Sequence, residues 1–205
     1  MLKTNPYRQE SNFMHTSATK RLSDEARRQL IDIARASILY GLEHGEALLP
    51  SAGDYAQELE VERASFVTLN RLGMLRGCIG HLEAIMPLAK DVAENAYSAA
   101  FRDPRFPSLT RDEYADLELH ISILTPPEAL EVNSESDLLT LLQPGIDGLI
   151  LEDGAARGTF LPSVWESLPQ PREFLRHLKR KAGLTEDYWS DTLKVSRYET
   201  ESFTG

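Results

Sequence analysis

Hydrophobic positions recur along the chain with two different periods. From Ser23 onward, Ala26, Leu30, Ile33, Ala34, Ser37 and Ile38 fall on one face of a 3.6-residue repeat. Ser23 reads as the N-cap, Asp24 and Glu25 fill the first turn, and Gly45 marks the stop. Residues 1–20 show no clear period and read as an N-terminal extension to a domain spanning 21–205. Residues 50–62 hold Pro50 and Gly53 and read as a connection. Residues 66–69 form an apolar strand, 70–73 a turn, and 74–80 a returning strand. Pro87 opens a second helix at a first-turn position. Its Leu88, Val92, Ala96, Ala99 and Ala100 make a thin face of small residues, suited to close packing on a sheet. That helix ends before Asp103-Pro104, because a residue preceding proline avoids the α region.

Thr110 and Glu113 have capping-box spacing. Leu117, Leu119, Ile121 and Ile123 then alternate with Glu118, His120 and Ser122, the pattern of a half-buried strand closed by Pro126-Pro127. A short helix around 138–142 follows, then a hairpin turning at Asp153-Gly154, a helix near 172–182 and a last alternating segment at 193–198. Hairpins mixed with helices predict an α+β fold, mainly an antiparallel sheet with flanking helices. No glycine-rich loop opens a helix after a strand, so the common nucleotide fingerprints are absent.

Composition narrows the partners. The 205 residues carry 32 acidic and 22 basic side chains, a net charge of −10. Such a field repels nucleic acid and anionic membrane, and neither is an expected partner. The basic cluster Arg172, Arg176, His177, Lys179, Arg180 and Lys181 has an ordinary explanation as the cationic C-terminal end of a helix. No apolar run approaches the roughly 18–20 residues of a membrane span. Residues 1–20 lack a secretory pattern, so a cytoplasmic location is expected. The single cysteine, Cys78, excludes an internal disulfide and argues against a cysteine-based zinc site. No two of the five histidines have metal-motif spacing, so no metal site is predicted and any cofactor is undetermined.

The candidate chemistry centres on Leu75-Arg76-Gly77-Cys78-Ile79-Gly80. Glycine inside a strand marks a bulge or a close backbone approach. Strict alternation puts Arg76 and Cys78 on one face, with Leu75, Gly77 and Ile79 on the other. The expectation is an edge-proximal or bulged strand whose Arg76 and Cys78 point together into a cleft. A guanidinium there favours the thiolate, and Gly80 leaves an open notch beside the sulfur. The ordinary alternative is a buried thiol acting as a small hydrophobe, with Arg76 pairing with Glu83 or Glu118. Asp103-Pro104-Arg105-Phe106 is either a self-satisfied turn or a loop that brings Arg105 to an anionic ligand near Cys78. His81 and His120 are candidate bases for the thiol, with a bystander role the commoner outcome for each.

The cysteine motif, together with Phe66-Val67-Thr68-Leu69, resembles the signature of the AMMECR family, whose prokaryotic members are called AmmeMemoRadiSam system protein A. Asp103-Pro104-Arg105-Phe106, the segment from Ile121 to Pro127, Gly148-Leu149-Ile150 and Phe160-Leu161-Pro162 match in order, and the resemblance runs from about Leu22 to the C-terminus. Ser65 departs from a position where the family often has glycine. The resemblance implies an α+β fold with a larger and a smaller lobe, and association with a radical SAM protein and a Memo-like protein. No reaction is securely attached to it. Cys78 and Arg76 are accordingly the candidate catalytic residues, and Gly77, Gly80, Asp103 and Arg105 the candidate ligand-binding residues. Two functions fit: an enzyme using Cys78 as nucleophile or redox centre, or a non-catalytic module that binds a small molecule or peptide and serves such a partner.

Overall fold

The structure is a computed structural model and describes residues 21–205; the extension at 1–20 lies outside the described residues. The first helix, α1 (Asp24–His44), begins and ends where its capping residues require. The Ser23 hydroxyl accepts the Ala26 N–H at 3.2 Å. Gly45, at φ +76°, donates to the Gly41 carbonyl at 3.0 Å. Glycine enters that left-handed conformation without a Cβ penalty.

Two antiparallel sheets follow, giving the α+β fold its larger and smaller lobes. The first consists of β1 (Ser65–Arg71), β2 (Met74–Gly80), β3 (Leu117–Leu124) and β8 (Thr200–Thr204), in the order β2-β1-β3-β8. α1 and α2 (Leu88–Phe101) pack on one face of it. Val67, Leu69, Leu119, Ile121 and Ile123 meet Leu30, Ile38, Leu88, Val92 and Ala96 there, all with no exposed surface. Each such valine, leucine or isoleucine side chain stabilises the fold by about 1.5–3 kcal/mol through burial. Among the described residues no α-helix packs on the opposite face of this sheet, which carries the polar half of the alternation.

The second sheet joins β4 (Glu128–Ala129), β5 (Gly148–Asp153), β6 (Ala156–Phe160) and β7 (Lys194–Tyr198), in the order β4-β7-β5-β6. Its core forms with α4 (Glu135–Leu141) and α5 (Pro171–Lys181), around Leu138, Leu149, Leu151, Trp165, Phe174 and Leu178. A smaller cluster of Ala64, Leu124, Ile150 and Tyr198, with Phe66, Leu82 and Leu161 against it, joins the two lobes. The capping box is present on the short α3 (Arg111–Tyr114). α4 starts earlier than its apolar residues suggest, because Ser134 caps it by accepting the Asp137 N–H at 3.1 Å.

The basic end of α5 is largely neutralised in place. Lys179 is fully buried and pairs with Glu135 at 2.5 Å, Arg176 pairs with Glu173, and Arg180 with Glu186 at 3.5 Å. Among the described residues no helix is long and apolar enough to cross a membrane.

Candidate functional site

β2 is an edge strand, and its pairing with β1 slips once. Cys78 lies opposite Thr68 and Gly77 opposite Leu69, but Asn70 then lies opposite Leu75, leaving Arg76 without a partner. Arg76 is therefore the extra residue of a β-bulge. A bulge breaks the period-two alternation, so residues on its two sides no longer follow one count. Here it overturns the expected pairing of Arg76 with Cys78. The Arg76 guanidinium binds Glu113 through Nε and Nη2, at 3.0 and 2.9 Å, and donates from Nη2 to the Pro107 carbonyl at 2.9 Å. Arg71, on the helix-covered face with Val67 and Leu69, reaches the same carboxylate at 3.5 Å. Arg76 thus belongs to that face, and neither Glu83 nor Glu118 is its partner. Its hydrogen bonds hold the Glu113 carboxyl down at about 2, against the opposing effect of burial.

Cys78 projects from the other face. Its sulfur is half-buried and accepts a hydrogen bond from the Thr68 hydroxyl at 3.2 Å. His120 lies opposite Thr68 on the far side, so Cys78, Thr68 and His120 form a row across three strands on the helix-free face. Directly opposed residues in a sheet point to the same side.

The two glycines serve packing. A Cβ at Gly77 would stand 2.1 Å from the Ala99 carbonyl oxygen, so α2 can lie this close to β2 only over glycine. This is the close approach that the small-residue face of α2 predicts. A Cβ at Gly80 would meet the Phe66 ring at 2.3 Å and the Ser65 carbonyl oxygen at 2.4 Å. The open notch expected beside the sulfur is absent; the Phe66 ring occupies that space.

The Asp103-Pro104-Arg105-Phe106 loop runs along the free edge of β2. Asp103 is buried and accepts the Cys78 N–H at 2.9 Å, while Arg105 donates to the Cys78 carbonyl at 3.3 Å. Side chains thus replace a neighbouring strand at the cysteine. Arg105 also donates to Asp103 from Nε and Nη2, at 2.9 and 2.7 Å. That hydrogen bond first, with help from the Cys78 and Arg105 N–H groups, holds the Asp103 carboxyl well below the usual carboxylate range. The Arg105 guanidinium is pushed up, chiefly by Asp103, with Cys78 a further contributor. Phe106 lies between Arg76 and Arg105, whose guanidinium carbons are 5.9 and 5.4 Å from its ring centre. The loop is both a self-satisfied turn and the element that brings a half-exposed cation to Cys78.

His81 is committed elsewhere. Its Nδ1 lies 2.6 Å from Oδ1 of Asp91, a residue with no exposed surface. Oδ2 of Asp91 accepts from the Ser65 N–H and hydroxyl and from Asn95, at 2.8, 2.6 and 2.9 Å. This cluster fastens the end of β2 to α2 and was not anticipated from the sequence. An acidic residue on the apolar side of a helix, four positions before Asn95, was the available signal.

On the helix-free face, a cavity of about 440 Å³ opens between the lobes. Ser122, Thr200 and Ser202 of the first sheet form one side; Leu161, Trp165 and Glu166 of the second lobe form the other. Phe66 lies opposite both Ser122 and Gly80, one row away from the Cys78–Thr68–His120 row, and Cys78 does not line the cavity.

Comparison with known proteins places these motifs. The AMMECR1 family model matches residues 31–203. A protein of Methanothermobacter thermautotrophicus is 40% identical over 188 residues, covering 89% of this chain and 95% of its own. A protein of Methanocaldococcus jannaschii is 41% identical over 157 residues, covering 73% of this chain and 76% of its own. The crystal structure of an uncharacterized protein from Pyrococcus horikoshii is 36% identical with a TM-score of 0.81, covering 89% of this chain and 93% of that one. The match extends over both lobes and includes the cysteine strand and the loop that seals it, and the chain belongs to the AMMECR1 family.

Proposed function

We propose that the helix-free face around Cys78 is a docking site and that the protein acts there as a binding module rather than as a self-contained catalyst. The observation that carries this reading is the placement of Arg76. The guanidinium needed to activate the thiol is bound to Glu113 on the opposite face. The hydrogen bond to the sulfur comes from the Thr68 hydroxyl, while Arg105 and Asp103 bind the cysteine backbone. Cys78 and the exposed part of Arg105 form the contact surface; Asp103 holds the strand at Cys78, Gly80 admits the Phe66 ring beside it, and Gly77 lets α2 back the strand from the other face. The partner class is the one the family resemblance implies, a radical SAM or Memo-like protein, with a small molecule or peptide as the other candidate ligand.

The nucleophile reading keeps second place because Arg105, rather than Arg76, contributes positive charge near Cys78. Association of the chain with a purified Memo-like or radical SAM partner, measured by calorimetry, separates the two. The docking reading expects Cys78→Ala and Arg105→Ala each to weaken binding at least about tenfold, or about 1.4 kcal/mol. Unchanged association in both variants, with iodoacetamide modification of Cys78 outpacing that of a free thiol, would reverse the order.

A further inference from the structure

The first sheet has two edges, and they are treated differently. Leu119 and Gly205 exchange both backbone hydrogen bonds at 3.1 Å, and the Thr125 N–H donates to Glu199 at 2.9 Å. Bonded pairs alternate in an antiparallel ladder, so Phe203 and Glu201 also face β3. Thr200, Ser202 and Thr204 therefore turn their N–H and C=O groups off the sheet. Among the described residues no backbone group meets them, and Ser202 and Thr204 are exposed.

A cavity lies on each side of this open edge. On the helix-free face is the inter-lobe cavity bordered by Thr200 and Ser202. On the helix-covered face a second cavity of about 370 Å³ lies between Ile31 and Asp32 of α1 and Phe203 and Gly205. Both volumes fall within the range of about 300–1,000 Å³ typical of ligand pockets. An added strand sends alternate side chains to opposite faces, so one extended segment on β8 would fill both cavities in turn.

We infer that the β8 edge is a strand-addition site for an extended, neutral-to-basic peptide segment of a partner protein. This goes beyond the docking reading of Cys78 and does not depend on it. Charge selects the occupant. Among the described residues Glu166 is the one ionisable group lining the inter-lobe cavity. In the second cavity Arg27 is taken up by Asp24 and Glu201, and Arg28 by Glu25, while Asp32 has no ion pair among the described residues. With a net charge of −10 on the chain, Glu166 at one cavity and Asp32 outside any ion pair among the described residues at the other, the overall field favours a neutral-to-basic segment over an acidic or phosphorylated one.

The test uses the full chain and a pool of random peptides about twelve residues long, selected for binding by display. The expected winners are neutral to basic and protect the amides of Thr200, Ser202 and Thr204 from hydrogen exchange. Ser202→Pro removes an N–H that no strand uses, a place where an edge tolerates proline. It should weaken the selected peptide at least about tenfold, the scale of lost main-chain contacts. Methylating alternate peptide nitrogens should do the same in one register and little in the other. If Ser202→Pro does not fold, the methylated peptides decide on the unaltered protein. No enrichment, binding indifferent to the methylated register, or edge amides already protected in the free protein by its own extension or a second copy would each overturn the inference.

Discussion

Replacing Glu113 by Gln tests the assignment of Arg76 to the helix-covered face. The substitution removes the counter-charge of Arg76, a residue of 8% exposure, and leaves its guanidinium the Pro107 carbonyl and one amide oxygen as acceptors. Breaking a buried ion pair costs about 3–5 kcal/mol. The Glu113 side chain is 19% exposed, so a lower figure of about 2 kcal/mol applies. The carboxyl gives a second route. A fall from 4.5 to about 2 corresponds to about 3 kcal/mol unscreened, and solvent screening reduces this to about 1–2 kcal/mol. Because the folded-state value is depressed, the contribution is fully present above the unfolded value. It is lost as pH falls through about 2. Urea unfolding of the wild type, Glu113→Gln, Arg76→Leu and the double variant should give a coupling of about 1–2 kcal/mol at pH 7, shrinking toward zero near pH 2. The same Arg76→Leu protein should alkylate at Cys78 within about twofold of the wild-type rate, since the charge it loses lies on the other face. A coupling below about 0.3 kcal/mol would falsify the ion-pair assignment. A large fall in alkylation for Arg76→Leu, absent in Arg105→Leu, would return Arg76 to the thiol.

Gly77→Ala places a methyl 2.1 Å from the Ala99 carbonyl oxygen, so thermal unfolding should show a loss of about 2–4 kcal/mol through displacement of α2. Wild-type stability under the same conditions would show that the helix yields freely. Asp103→Asn removes a carboxylate whose stabilising effect is present above the ordinary carboxylate range and lost as pH falls below it. The variant should be less stable than wild type at pH 7 and converge with it in acid; a constant difference across pH 7 to 2 would assign the effect to packing.

Much of the scaffold was legible because its signals are local. Ser23, Gly45, Pro87 and the Thr110–Glu113 pair each fix a boundary through their own backbone chemistry, and Leu117 to Leu124 shows its buried face directly. β8 was missed because Phe203 is the sole apolar residue among its five; an edge strand of threonine, serine and glutamate carries almost no period. The family motifs located Cys78, Asp103 and Arg105, and the structure brings those three together. The position of Arg76 was not legible. Alternation holds only while the register holds, and the slip that moves Arg76 coincides with anchoring by Pro107 and Glu113, 31 and 37 residues away. Asp91 and its partners escaped for the same reason: their bonds join β1, the end of β2 and α2.

The loop sealing β2 also limits how copies of this chain can stack. A sheet with two open edges can recruit neighbours at both ends and grow without limit, the geometry of a fibre. Here Asp103 and Arg105 occupy the groups at Cys78 that an incoming strand would require, so among the described residues β8 is the edge the first sheet leaves open. Two copies meeting there about a twofold axis would each consume the other's single open edge, and growth through this sheet would stop at a closed pair.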